Sequence, residues 1–136
     1  MRRYESDFYG WAEDTARAIC NGQWDQIDRA LLADEVDDLK KRIESQIESR
    51  LRVLLTHLLK IRYQPGKHTR SWDLTIAEQR LRAQRIIRDN PSVKVVLGAI
   101  MAEAYATARI RAAKETGVDL DIFPVDMPFT DAEIWG

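Results

Sequence analysis

The longest pattern of apolar positions in the chain runs from Asp34 to Gln64. No glycine or proline interrupts this run, and Pro65 follows it as a stop signal. The pattern therefore predicts one long helix over roughly 34–64. Its apolar residues recur every three or four positions, the spacing of one helix face: Val36, Leu39, Ile43, Ile47, Leu51, Leu54, Leu58 and Ile61.

The two halves of this predicted helix differ in how much of their circumference is apolar. Over residues 34–50 a single stripe is apolar, which is typical of a helix at the surface. Over residues 51–59 apolar side chains nearly encircle the axis, and only Arg52, Thr56 and Lys60 form a narrow polar strip. We therefore expect the first half to be a surface helix and the second half to be the centre of the core.

Two shorter helices are predicted before the long one. Asp7 is a suitable N-cap for a helix over residues 8–20, and Asn21-Gly22 is a suitable stop. Residues 24–32 favour a second short helix, with Trp24 pointing inward. Because acids occupy residues 33–35, where a helix N-terminus favours them, we expect a bend there. Propensity alone does not decide whether residues 24–33 form a helix separate from the long one.

The helix after the long one carries two apolar stripes. Ser71 is the expected N-cap of a helix over residues 72–89. One stripe is led by Trp72 and Ile76, and a weaker one on the far side consists of Leu74, Ala77 and Leu81. A helix with two apolar stripes lies between two layers or offers its second stripe to another chain.

The last third of the chain predicts another helix and an apolar extended segment. A helix over residues 92–116 is rich in alanine, and Gly117 is its expected C-terminal stop. Residues 118–129 contain two prolines and five large apolar residues, so we expect them to lie over a groove of the bundle. Thr130 and Glu133 have the spacing of a capping box for a short terminal helix.

These elements predict an all-α fold. No run of residues alternates at period two, so no sheet is expected. The 136 residues suffice for a single domain over residues 1–136, a compact bundle of about four main helices followed by a proline-rich extended segment and a short terminal helix.

Composition excludes several classes of protein. The chain is 45% hydrophobic and 32% charged, with a net charge of −1, which is typical of a globular domain. No apolar run is long enough for a membrane helix, and the N-terminus lacks a secretory signal. Cys20 is the only cysteine, so neither an intrachain disulfide nor a cysteine-cluster zinc site is possible. We expect a cytoplasmic protein without a cofactor or a membrane partner.

Charge is concentrated in the middle of the chain. Residues 51–90 contain 9 basic and 3 acidic side chains, a net charge of +6, whereas the flanking thirds are acidic. Arg80, Arg85 and Arg88 are the candidate phosphate contacts in this region. On a helical wheel these arginines and Arg82 point in well-separated directions, so ion pairs with neighbouring helices are the more ordinary interpretation.

His57 and Glu103 are the candidates for chemistry. A histidine on a mostly apolar face is either a base or ligand, or a core-edge imidazole bonded to a carbonyl or an acid. No second histidine or acid lies within one turn of His57, and the chain has no Glu-x-x-His pair. The structural interpretation is therefore favoured, and no catalytic, cofactor-binding or metal-binding residue is assigned.

Several sequence blocks resemble a known family. The clearest blocks are Asp7-Phe8-Tyr9-x-Trp11, Leu54-Leu55-x-His57-Leu58-Leu59-Lys60, Arg70-Ser71-Trp72 and Glu115-Thr116-Gly117. In their order and spacing they resemble the bacterial domain-of-unknown-function 29 family of small all-helical proteins. The family often has asparagine where this chain has Leu31 and glycine where it has Lys40. The resemblance implies a fold and a bacterial origin, and it implies no reaction.

We therefore expect a non-catalytic helical module that binds another protein or itself, and a homodimer is one form of this hypothesis. The second stripe of the 72–89 helix and the alanine-rich helix would offer the surfaces. One alternative is nucleic-acid binding through the basic residues 60–88. A weaker alternative is a small enzyme or metal protein centred on His57 and Glu103.

Overall fold

The structure, a computed structural model, describes all residues from 1 to 136 and contains only helices, turns and extended connections. The all-α prediction is confirmed. The α-helices are α1 (Phe8–Cys20), α2 (Arg29–Tyr63), α3 (Arg70–Asp89), α4 (Leu97–Thr116) and α5 (Asp131–Trp135). Short 3₁₀ turns lie between them at Trp24–Gln26, Pro65–Lys67, Pro91–Val95 and Leu120–Ile122.

Contacts within the chain divide it into two compact units, Met1–Lys40 and Lys41–Gly136. The two units are described separately below, and the single domain over residues 1–136 stays a prediction. None of the helices combines the length and the apolar character that crossing a membrane requires.

The N-terminal unit is built around a small aromatic cluster. Asp7 caps α1 as predicted, because its Oδ1 accepts a hydrogen bond of 2.9 Å from the backbone N–H of Gly10. Trp11 of α1 is buried, and the Tyr4 ring packs edge-on against it with 4.9 Å between ring centroids. The Tyr4 hydroxyl also donates a hydrogen bond to Glu35, which joins the aromatic cluster to α2.

Helix α2 begins earlier than the sequence predicts. The side chain of Asp28 accepts a hydrogen bond of 3.1 Å from the N–H of Leu31, so Asp28 is the N-cap. The helix then continues without interruption to Tyr63. The predicted short helix over residues 24–32 and the bend at residues 33–35 are therefore wrong. Trp24 lies in a 3₁₀ turn and is exposed rather than directed inward.

The core of the C-terminal unit is centred on the second half of α2. The prediction that residues 51–59 are the most buried stretch is confirmed by four fully buried leucines: Leu51, Leu54, Leu55 and Leu59. Thr56 departs from the predicted polar strip because it too is buried. Its hydroxyl donates a hydrogen bond of 2.7 Å to the carbonyl of Arg52, which satisfies the polar group inside the core.

Helices α3 and α4 complete this core from other sides. The first stripe of α3 is buried at Ile76, Ala83 and Ile87, and α4 contributes the buried alanines 104, 108 and 112. Two predicted boundaries are wrong. Thr69 rather than Ser71 caps α3, because the Thr69 hydroxyl accepts the N–H of Trp72. The 3₁₀ turn at residues 91–95 delays the start of α4 to Leu97.

The C-terminal segment packs over the bundle, as predicted. Phe123 and Phe129 are buried in the core, and α5 adds Ile134. The capping box of α5 is present, with Thr130 and Glu133 bonding each other's backbone N–H. The backbone N–H of Thr130 donates to the carboxylate of Glu133, which holds the pKa of Glu133 below its ordinary value.

Candidate functional site

His57 makes the contacts of a structural histidine. Its Nδ1 lies 2.8 Å from the carbonyl oxygen of Val53, one turn earlier on α2. A carbonyl can only accept a hydrogen bond, so Nδ1 carries a proton and donates it to Val53. The ring is half-buried and meets Trp72 of α3 edge-on, with 6.4 Å between ring centroids. His57 therefore joins α2 to α3.

Glu103 lies in a different part of the C-terminal unit. A surface hollow of about 280 Å³ is lined by Glu44, Ser45, Glu48, Ile100, Glu103 and Thr107. His57 is not part of this lining, so the structure does not bring His57 and Glu103 together. One of the three carboxylates, Glu48, is already paired with Arg52 at 3.4 Å. No three histidine, cysteine, aspartate or glutamate side chains are grouped where they could hold a metal ion.

Arg80 is committed to the fold. Its Nε donates to the carbonyl of Ile134 at 2.7 Å, and its Nη2 donates to the carbonyl of Glu133 at 2.8 Å. These bonds satisfy carbonyls at the end of α5 that have no partner within the helix. Sequence reasoning missed this role because α5 is distant along the chain. Arg80 therefore holds the terminal helix against α3.

The exposed side of α3 is more coherent than the sequence predicts. Leu74 and Leu81, the ends of the second stripe, are 56% and 49% exposed and stand seven residues apart on one side of the helix. Arg82, Arg85 and Arg88 are also exposed and fall within about 120° of one another around the axis. Arg80 lies on another side of the helix, where it bonds the end of α5. We call these five residues the α3 surface.

A groove continues the α3 surface towards the end of the chain. It has a volume of about 460 Å³ and is lined by Gln84, Ile87, Arg88, Pro91, Lys94, Leu97 and Trp135. Ile87, Leu97 and Trp135 give it an apolar floor, while Arg88 and Lys94 place cations at its edge. Gln84 donates to the carbonyl of Trp135 at 3.2 Å, which fixes the end of α5 beside the groove. We call this the C-terminal groove.

Comparison with known proteins places the chain in a family. A family model described as a domain of unknown function, DUF29, matches residues 3–135. The chain belongs to the DUF29 family. No curated protein and no solved structure matches it. The resemblance found from the sequence blocks is thus confirmed, and the family's description names no activity.

Two positions where this DUF29 protein departs from the family's usual pattern lie on α2. Leu31 is half-buried in the N-terminal unit. Lys40 is exposed and lies 3.4 Å from Asp37 of the same helix. α2 continues through Lys40 without a break, so the kink that a glycine implies at this position is not needed here.

The exposed side of α3 in this DUF29 protein carries three arginines, with Glu78 and Asp89 beside two of them. Arg82 is paired with Glu78 at 3.2 Å, and Arg88 lies 3.6 Å from its neighbour Asp89. Both pairs are well exposed, so solvent screens them and each contributes little to stability. An incoming carboxylate would therefore compete readily for these guanidinium groups.

Proposed function

We propose that this DUF29 protein is a non-catalytic helical interaction module, and that the α3 surface with the C-terminal groove is its docking face. The observation that carries the proposal is the exposure of Leu74 and Leu81 on the side of α3 opposite its buried residues. Contact between aligned leucines and water is unfavourable in free energy, and a partner that covers the leucines removes this unfavourable contact.

The proposed partner is a helix with one apolar face and acidic flanks. Its apolar residues would lie across Leu74 and Leu81, as in other complexes where an amphipathic helix packs in a groove. Its carboxylates would bind Arg85 and Arg88, since guanidinium groups favour two-point contacts with carboxylates. A further apolar side chain of the partner would enter the C-terminal groove. The three arginines of the α3 surface therefore favour an acidic partner over a basic one.

Quantitative co-purification from the cells that make the protein tests this proposal. The tagged chain is compared with Leu81→Glu and Arg85→Glu, after nuclease treatment of the lysate. The matched control is Val125→Glu, which places the same new charge at an exposed apolar position of the C-terminal segment. We expect both α3 variants to lose one set of proteins by at least about tenfold, since central apolar and arginine contacts dominate interfaces.

Circular dichroism melts must first show that all the variants fold. Retention of the same proteins by wild type, both α3 variants and the control would contradict the proposed docking face. Loss of the same proteins from the Val125→Glu control as well would show that recovery depends on something other than the α3 surface.

Nucleic-acid binding is a second candidate, favoured by one observation. Arg82, Arg85 and Arg88 share the exposed side of α3, and Lys94 extends the cations to the C-terminal groove. A mobility shift with mixed DNA and RNA tests it, with Arg85→Glu against Lys114→Glu as the charge-matched control on α4. Binding should weaken steeply as salt is raised, because phosphate contacts release counterions. The absence of any shift at low salt would remove this candidate.

A further inference from the structure

The first half of α2 carries an apolar stripe that the structure leaves uncovered at its centre. Val36 and Leu39 are 59% and 56% exposed, whereas Ile47 and Leu51, further along the same stripe, are fully buried. Leu32 and Ile43, both half-buried, bracket the exposed pair and complete the stripe, and Ile43 also packs against the core of the C-terminal unit. The aromatic cluster meets α2 beside this stripe, where Tyr4 bonds Glu35, and Val36 and Leu39 stay exposed next to it.

The spacing of this stripe is the same in both directions. Leu32, Val36, Leu39 and Ile43 are separated by four, three and four residues, which is the alternation of an apolar coiled-coil seam. When two such helices pack antiparallel, a two-fold axis near the centre places Val36 opposite Leu39 of the second copy and Leu32 opposite Ile43. A self-complementary patch of this kind is what a two-fold dimer requires.

The charges beside the stripe suit an antiparallel pair. Glu35 and Arg42 lie on the same edge, about 100° and 120° from Val36. An antiparallel pair brings Glu35 near Arg42 of the second copy, and the symmetry repeats this contact. Opposite charges at the flanks of a seam favour one partner and one orientation.

We propose that the stripe of Leu32, Val36, Leu39 and Ile43 is the interface of a homodimer, in which the α2 helices of two copies pack antiparallel. This interface is independent of the α3 surface, so a dimer would still present that surface twice. The seam spans about 12 residues of helix, or about 18 Å. Because so short a seam buries little surface, we expect the dimer to form at micromolar rather than nanomolar concentration.

Sedimentation velocity of the full chain over low to high micromolar concentrations tests the interface. Wild type should pass from monomer to dimer within this range. Leu39→Glu should weaken association by roughly 100-fold, because each dimer loses the burial of two leucines. Leu81→Glu makes the same change on the α3 surface and should leave dimerisation unchanged. A wild type that stays monomeric throughout would overturn the proposal.

The two leucine variants also separate this proposal from the proposed docking face. If Leu81→Glu abolished the dimer while Leu39→Glu did not, self-association would belong to the α3 surface and the α2 seam would be wrong. If Leu39→Glu alone abolished it, the seam would stand whatever the co-purification experiment shows. Arg42→Glu should weaken the dimer about tenfold by removing both ion pairs, whereas Lys114→Glu should not.

Disulfide trapping tests the orientation and does not depend on a destabilising charge. Val36→Cys and Leu39→Cys chains, each also carrying Cys20→Ser, are mixed and oxidised mildly. In the antiparallel pair the two new thiols face each other, so the mixed disulfide should form faster than either disulfide between identical chains. Faster pairing of the Val36→Cys chain with itself would indicate a parallel dimer and contradict the proposal.

Discussion

Replacing Leu54 by alanine should destabilise the C-terminal unit far more than the same replacement at Leu74. Leu54 is fully buried at the centre of the core, whereas Leu74 is more than half exposed on α3. Both positions are helical, and leucine and alanine have similar helix propensities, so the backbone contribution is nearly equal. The difference between the two variants therefore measures burial and packing.

The expected magnitudes follow from these environments. Loss of the Leu54 side chain from a closed core should cost about 2–5 kcal/mol, the sum of lost burial and the cavity left behind. Full burial of a leucine side chain contributes about 1.5–3 kcal/mol. Leu74 is only partly buried, so its replacement by alanine should cost less than about 1 kcal/mol. With a urea m-value of about 1–3 kcal/mol/M, the Leu54→Ala midpoint should fall by at least about 0.7 M.

Urea titrations followed by circular dichroism make this comparison. The m-values serve as the control. If they equal the wild-type value, the replacements have not changed the compactness of the folded or unfolded state. Equal midpoint shifts for Leu54→Ala and Leu74→Ala would refute the assignment of the core to the second half of α2. Leu54→Asp should prevent folding altogether, because an unpaired carboxylate would be buried.

Two further predictions concern the closure of the C-terminal unit. Arg80→Met should lower the free energy of unfolding by about 1–3 kcal/mol, because two backbone carbonyls of α5 lose charge-assisted donors. Amide hydrogen exchange should become faster in α5. An unchanged exchange pattern would contradict the role of Arg80. Burial raises the pKa of Tyr105, whose hydroxyl donates to the carbonyl of Pro124 at 2.5 Å. Unfolded tyrosine loses its proton near pH 10 and folded Tyr105 does so at higher pH, so the free energy of unfolding should fall above about pH 10. In urea titrations across alkaline pH, the fall in stability with pH should be less steep for Tyr105→Phe than for wild type. An equally steep fall in both proteins would refute the assignment of this effect to Tyr105.

The sequence predicted the elements whose signals are local and strong. Apolar spacing identified the long helix and its buried half, and the capping pairs at Asp7 and Thr130 were read correctly. The start of α2 was missed because Asp28 caps it with a single side-chain bond, while the acids at residues 33–35 offered a stronger pattern. Thr69 and Ser71 are both good caps, and spacing alone does not choose between them.

The candidate site was less predictable, because its residues come from separate parts of the chain. The exposed stripe of Leu74 and Leu81 was visible in the sequence as a second apolar stripe. The C-terminal groove was not, since Trp135 reaches α3 only through the path of residues 118–130. Arg80, Arg85 and Arg88 look alike in the sequence, and only packing separates the one that holds α5 from the two that face solvent.

The path of the C-terminal segment has a consequence for the order in which the chain can fold during synthesis. A nascent chain that ends at Gly117 already contains the four long helices. It still lacks Phe123, Phe129 and Ile134, which are buried in the final core. Until these side chains emerge, the apolar surface they later cover stays open to solvent or to chaperones. Residues 118–136 therefore act as a closing step, and premature termination within them should yield a helical but aggregation-prone product.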